Sequence, residues 1–184
     1  MRRSLGISIL ALFMLAGCET FSFHQYPLSQ RNIETIKKTM AANGVTSLAV
    51  GKFTAAAPGQ TEIMCGVNGQ IRTPNQVPFE KYIRDAFIDE LKKADAYSLD
   101  QIEAGRVITG YLDGLRLNSV NGSWDIKLII TFRSGESFTV MESYQFDGMS
   151  CEQSTAAFIP AVQDLIYNII THPVFRMKMG QAGN

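Results

Sequence analysis

Three consecutive segments between residues 106 and 146 constrain the fold of this chain most strongly. In the middle one, "WDIKLIITF" from residue 124, every second side chain is apolar, from Trp124 to Phe132, and the intervening ones include Asp125 and Lys127. Such alternation indicates a strand with one buried and one solvated face. Asn121-Gly122 before it and Ser134-Gly135 after it predict tight turns. The segments therefore predict a three-stranded antiparallel meander.

The last strand of this meander, "SFTVMESYQF", contains one irregularity. Its apolar side chains continue the buried row, but Glu142 interrupts them. We interpret Glu142 as an edge position or a bulge rather than as an active-site acid, because a carboxylate is tolerated where a sheet meets water.

Helical periodicity surrounds these strands. From Pro78, apolar residues recur every four positions (Phe79, Ile83, Phe87, Leu91) and predict an amphipathic helix, whose Glu80–Arg84 and Asp89–Lys93 spacings favour ion pairs along an exposed face. A second long helix is predicted in "STAAFIPAVQDLIYNIITHP", with a kink or restart at Pro160. A short helix is predicted before Asn43-Gly44, and a buried strand in "VTSLAVGKF".

This order predicts an α+β fold: a four-stranded, mostly antiparallel sheet with two long helices on one face (β-α-β-β-β-α) and an extra short N-terminal helix. The connection over residues 54–77 is long and rich in glycine and proline, so it is functional or contains hidden structure. We expect it to be a partner-binding loop.

The chain opens with Met1-Arg2-Arg3 and about a dozen apolar residues, the layout of an export signal too short to span a bilayer. Leu15-Ala16-Gly17-Cys18 then resembles the bacterial lipobox; the alternative is an ordinary cleaved signal with an incidental cysteine. The resemblance implies a mature chain that begins at a lipidated Cys18, carrying a thioether-linked diacylglycerol and usually an amide-linked acyl chain. Glu19, rather than aspartate, after the cysteine favours the periplasmic leaflet of the outer membrane over the inner membrane.

The predicted organisation is a signal peptide over 1–17, a tether over 18–28, one periplasmic domain over 29–175 and a flexible tail over 176–184. Removing the signal takes away two arginines and no acid, so the mature chain is slightly acidic. It lacks the strong positive field that would attract nucleic acid.

Cys65 and Cys151 are the two other cysteines. In an oxidising compartment they most simply form a disulfide, closing a loop of about 87 residues and contributing roughly 4 kcal/mol. A metal pair and two free buried thiols are the competing interpretations. Against a metal, neither cysteine lies in a CxxC motif, and His24 and His172 lie near opposite ends of the domain.

A lipobox followed by this order of elements is similar to the small periplasmic lipoproteins of envelope assembly. These are the YajG-like and LptE-like lipoproteins and the auxiliary lipoproteins of ABC-type transporters, and the similarity covers most of the mature chain. It implies a protein that docks on a β-barrel, a transport complex or a cell-wall synthase. It transfers no binding residue to a numbered position.

Catalysis is not expected. The sequence has no GxSxG, HExxH or P-loop motif, and no cofactor is implied. His172 suits a helix C-terminus, and Asp113 and Asp125 could approach each other across a hairpin without forming a site. We expect a membrane-anchored scaffold that binds an envelope protein through the 54–77 connection and the exposed sheet face (Lys127, Ile129, Thr131, Arg133, Thr139, Met141). The alternative is a periplasmic binder of a small apolar or lipid ligand.

Overall fold

The computed structural model describes residues 19–67, 69–102, 106–148 and 150–181; the predicted signal peptide and Cys18 lie outside these ranges. Within these ranges the strands are β1 (Glu19–Ser22), β2 (Ala49–Ala55), β3 (Glu62–Cys65), β4 (Gly69–Arg72), β5 (Val107–Asn118), β6 (Ser123–Phe132) and β7 (Ser137–Gln145). The α-helices of the described residues are α1 (Gln30–Ala42), α2 (Phe79–Lys93), α3 (Cys151–Thr171) and α4 (Pro173–Gln181). Short 3-10 helices cover Pro74–Gln76 and Leu99–Ile102.

The larger sheet confirms the predicted fold class. Its strand order is β2-β5-β6-β7, and β2 pairs with β5 in parallel while the two other pairs are antiparallel. Helix α2 contacts β2, and α3 contacts β6 and β7. The predicted turn forms over residues 119–122, where Gly122 has a φ of +63° and a side chain would collide with the Phe146 carbonyl oxygen. Glycine is therefore required at this turn.

The predicted alternation of buried and exposed side chains along β6 is present in the structure. Its inward side chains, from Trp124 to Ile130, are at most 2% exposed, whereas Lys127 on the other face is exposed. Glu142 lies on β7, the edge strand, as predicted, and its carboxylate accepts a 2.6 Å hydrogen bond from Asn168 Nδ2. Partial burial, and then the nearby Asp164 carboxylate, raise the pKa of Glu142.

A second, three-stranded sheet corrects the predicted tether and provides the hidden structure that was one of the two explanations expected for the 54–77 connection. Strands β3 and β4 lie within the predicted 54–77 loop, and β1 lies within the predicted tether 18–28. β4 is central, pairing antiparallel with β3 and parallel with β1. Each strand has only four residues, too few to show an alternation in sequence. Phe23, directly after β1, is buried and stacks on Phe158 with ring centroids 4.2 Å apart, so the start of the domain is packed rather than free.

The C-terminal segment also differs from prediction. Residues 176–181, expected to be part of a tail, belong to α4, in which Phe175 and Met179 are buried. Lys178 forms an ion pair with Glu136. The predicted helix end before Pro173 is correct, but Pro173 then starts α4, because proline is well tolerated in a first helical turn. Helix α3 is continuous through Pro160.

An aromatic cluster fills the space between the larger sheet and its helices. Phe158 of α3 is fully buried, with ring centroids 4.9 Å from Trp124 and 5.6 Å from Phe79. The Trp124 indole donates a 2.7 Å hydrogen bond to the Ser154 carbonyl. The sheet face that carries Trp124 is therefore the covered one, and no α-helix of the described residues packs on the opposite face.

Candidate partner-binding surface

The uncovered side of the larger sheet, here called the open face, consists of the outward side chains of β5, β6 and β7. Its central row runs from Tyr111 through Ile129 to Thr139, which pair directly across the strands. Met141 is 72% exposed and Tyr111 is 39% exposed. Five of the predicted face residues lie on it: Lys127, Ile129, Thr131, Thr139 and Met141. Arg133 does not, because it follows the last residue of β6, and its side chain donates to the Ile102 carbonyl.

A bulge in β5 shapes the open face. The pairing between β5 and β6 shifts between Leu112 and Gly114, so that Gly114 lies opposite Lys127. Because glycine has no side chain, an open depression of about 610 Å³ forms there. Its lining includes Gly114, Leu115, Arg116, Asp125, Lys127, Met141 and Ser143.

Ion pairs surround this depression. Lys127 Nζ lies 2.7 Å from Asp113 Oδ2, and Arg116 Nη2 lies 2.9 Å from Asp125 Oδ2. The Ser143 hydroxyl donates to Asp125 and, together with Arg116, holds the pKa of that carboxyl below its usual range. The two aspartates thus have separate cationic partners, an arrangement that suits a polar rim.

The histidines do not complete a catalytic group. His24 is exposed beside the small sheet, while His172 caps α3 and stacks on Phe138 with ring centroids 4.2 Å apart. Its Nδ1 accepts from the Val174 amide at 3.3 Å. Within the described ranges, no group of three His, Cys, Asp or Glu side chains is arranged to hold a metal ion.

The Cys65–Cys151 disulfide is present, with Cα atoms 5.6 Å apart. It joins the end of β3 to the first residue of α3. Gly69, paired with Cys65 across the small sheet, faces the Cys151 sulfur so closely that a side chain there would collide with it. The disulfide therefore fixes the small sheet to the main body of the domain.

Arg84 has a role that the sequence did not predict. Instead of pairing with Glu80, it donates from Nε to the Gly51 carbonyl at 2.6 Å and from Nη2 to the Val50 carbonyl. Both carbonyls lie where the pairing of β2 with β5 becomes irregular. Asp89 lies near Lys92 rather than the predicted Lys93.

Glu90 is a fully buried carboxyl, although its position among the charged residues of α2 had predicted a solvated helix face, and that prediction is wrong. Its Oε1 accepts from the Tyr26 hydroxyl at 2.5 Å and from Asn32 Nδ2 and the Ser29 amide at 3.3 Å. Burial raises the pKa of Glu90, and burial with the adjacent carboxyl raises the pKa of the Tyr26 hydroxyl. The sequence did contain an indication that Glu90 is buried. Glu90 follows Ile83 by seven residues and Phe87 by three, so it lies on the same face of α2 as the apolar stripe.

The fold and this surface define a class: an α+β domain with one open sheet face. No helix in the described ranges is both long and apolar enough to cross a membrane. No family model and no curated protein sequence matches the chain.

Among solved structures, the chain is similar to protein XCC0632 from Xanthomonas campestris, described with the family model DUF330. The sequence identity is 12% and the TM-score 0.49, over 73% of this chain and 87% of that one.

Proposed function

We propose that this protein is a lipid-anchored periplasmic accessory lipoprotein, attached to the outer membrane through Cys18, that binds an envelope protein complex through its open face. The complex would belong to transport, barrel or cell-wall machinery, as the resemblance to YajG-like, LptE-like and ABC-transporter auxiliary lipoproteins implies. The observation that carries the proposal is the open face itself.

The chemistry of the open face supports a protein partner. Exposed Met141 and Tyr111 flank half-buried Ile129, and two ion pairs border the neighbouring depression. Methionine, tyrosine and arginine are enriched at protein interfaces, which typically combine an apolar centre with a polar rim.

Lipid attachment supports the same function. A tether raises the effective concentration of a weak binder near its membrane-bound partner. The alternative, an apolar ligand between sheet and helices, has less support because Phe23, Phe79, Trp124 and Phe158 already occupy that space.

The test is crosslinking in the cells that make the protein, followed by purification and mass spectrometry of what is recovered. We expect subunits of one envelope complex in fixed proportion. A Met141→Glu/Lys127→Glu variant should lower their recovery at least about tenfold, which corresponds to about 1.4 kcal/mol of binding. Lys37→Glu on α1, also exposed, is the matched control and should leave recovery unchanged.

Circular dichroism and thermal melting would establish that the variants remain folded. Equal recovery from the wild type and the open-face variant would refute docking through this face. Recovery of the protein alone at native abundance would refute the scaffold function.

A further inference from the structure

One end of the domain brings together four segments that are far apart in the sequence. Glu19 pairs with Gly69, and Gly69 pairs with Cys65 on its other side. The disulfide then links Cys65 to Cys151 at the start of α3. The beginning of β1 is therefore directly beside the turn after β3 and the N-terminus of α3.

The β5–β6 turn reaches the same end. The Phe146 amide donates to the Gly122 carbonyl at 2.8 Å, which ties the turn to the segment leading into α3. The Trp124 indole, two residues beyond Gly122, donates to Ser154 in the first turns of α3. We call this region, comprising Glu19, residues 64–67, 118–122, 146–148 and 150–152, the anchor end.

Two turns at the anchor end project aliphatic side chains into solvent. Val67 is 90% exposed and Val120 is 78% exposed, the two most exposed large apolar side chains of the described residues. Met64 on β3 is 54% exposed. Turn residues are commonly Gly, Asn, Asp, Ser or Pro, so the backbone does not require valine at either position.

The position of the predicted lipid explains them. A peptide bond keeps consecutive Cα atoms about 3.8 Å apart, so a lipid on Cys18 is joined to the domain within one residue of Glu19. Because β1 is already paired at Glu19, no flexible linker separates the lipid from the anchor end. We propose that the anchor end rests on the bilayer, with Val67 and Val120 inserted at the boundary between headgroups and acyl chains.

This orientation rests on the proposed lipidation and adds a second membrane contact to it. The acyl chains on Cys18 would supply the attachment itself, and the shallow apolar contact would fix the orientation of the domain on the bilayer. The ionisable side chains described in the anchor end are Glu19, Asp147 and Glu152, all acidic and exposed. The contact should therefore be stronger on zwitterionic than on anionic bilayers, and salt should reduce that difference.

The test uses the mature lipidated protein reconstituted in unilamellar phosphatidylcholine vesicles, after intact-mass measurement of the lipid on Cys18. Val67→Trp and Val120→Trp serve as reporters, read by quenching with phosphatidylcholine brominated at shallow or deep acyl positions. Met141→Trp, on the open face, is the matched control, because it shows how far an exposed tryptophan enters the bilayer through its own affinity for lipid. The buried Trp124 gives a constant background, measured in the wild type.

We expect emission from Val67→Trp and Val120→Trp to shift to the blue and to be quenched more by shallow than by deep bromines. Met141→Trp should not be quenched beyond the wild-type background. Adding phosphatidylglycerol should weaken quenching at low salt and less so at high salt.

If neither Val67→Trp nor Val120→Trp is quenched in the lipidated protein, the proposed orientation on the bilayer is wrong. Docking of a partner through the open face would be unaffected by that result. Quenching of Met141→Trp equal to theirs would also overturn it. Absence of lipid mass on Cys18 would overturn both this inference and the lipid-anchored function.

Discussion

The two sheets of this domain are stabilised in different ways. β5 and β6 have twelve and ten residues, are adjacent in sequence and pair along nearly their whole length over a continuous apolar core. The small sheet joins three strands of four residues each: β1 from residues 19–22, and β3 and β4 from residues 62–72. The Cys65–Cys151 disulfide lies beside it. A long hairpin over a core can be stable through its own packing, whereas short strands distant in sequence need external constraints.

The constraints on the small sheet come from three places. The Cys65–Cys151 disulfide fixes its end to α3, and Phe23 inserts into the aromatic cluster beside it. The segment that follows β1 is held by Glu90, which receives hydrogen bonds from Tyr26 and Ser29. The domain thus combines a self-supporting sheet with a sheet that depends on its attachments, and changes in the two should have different consequences.

The largest effect is expected in the core of the larger sheet. Leu128→Ala removes a fully buried side chain of β6 and should lower the free energy of unfolding by about 2–5 kcal/mol. The neighbouring Ile129→Ala, on the open face, should cost less than about 1 kcal/mol. Urea unfolding followed by circular dichroism measures both. Similar losses for the two variants would contradict the assignment of one covered and one open face.

Removing the disulfide should affect chiefly the small sheet. A Cys65→Ala/Cys151→Ala variant should lose about 2–4 kcal/mol of stability, because the unfolded chain regains the freedom of a long loop. Hydrogen exchange should rise more in residues 62–72 than in β5–β7.

Chemical reduction of the wild type provides the control, since it breaks the same bond without changing a side chain. Exchange that rises equally in both sheets, by either route, would show that the small sheet is not separately constrained.

A smaller, pH-dependent effect is expected at Glu90. Since burial raises its folded-state pKa, its contribution to stability is complete below the unfolded-state value of about 4.3 and declines as pH rises through the folded value. Glu90→Gln keeps the Oε1 acceptor and removes the titration. Its amide can also donate to Asn32 Oδ1, which is buried without a hydrogen-bond partner.

The stability of Glu90→Gln relative to the wild type should therefore increase from pH 4 to pH 8. Urea unfolding at a series of pH values measures this difference, in which the other titrating groups largely cancel. A difference that stays constant or shrinks with rising pH would contradict a raised pKa at Glu90.

The larger sheet could be predicted because its signals are local. The alternation around Leu128, the Asn121-Gly122 turn and the four-residue spacing of Phe79 to Leu91 each report a structure formed within a short stretch. The disulfide was predictable because only two cysteines remained after Cys18. The open face followed from the same alternation.

The small sheet and α4 could not be predicted in this way. Pairing of Glu19 with Gly69 depends on a contact between distant segments, and no periodicity records it. In α4, Phe175 and Met179 are spaced as on a helix, but two residues are too few to distinguish a docked turn from a tail. The depression beside Gly114 depends on a bulge in pairing, which appears only when both strands are in place.

The strand pairing at Glu19, Gly69 and Cys65 has a consequence for the chemistry of sulfur in this chain. It places Glu19, the residue that follows Cys18 in the sequence, on a strand whose neighbour leads directly to the Cys65–Cys151 bond. In a chain produced without lipid, the Cys18 thiolate could attack that bond and exchange partners with it. The thioether that we propose on Cys18 would remove this nucleophile and so would also protect the crosslink. A recombinant domain carrying Cys18→Ser would keep the native pairing without the lipid.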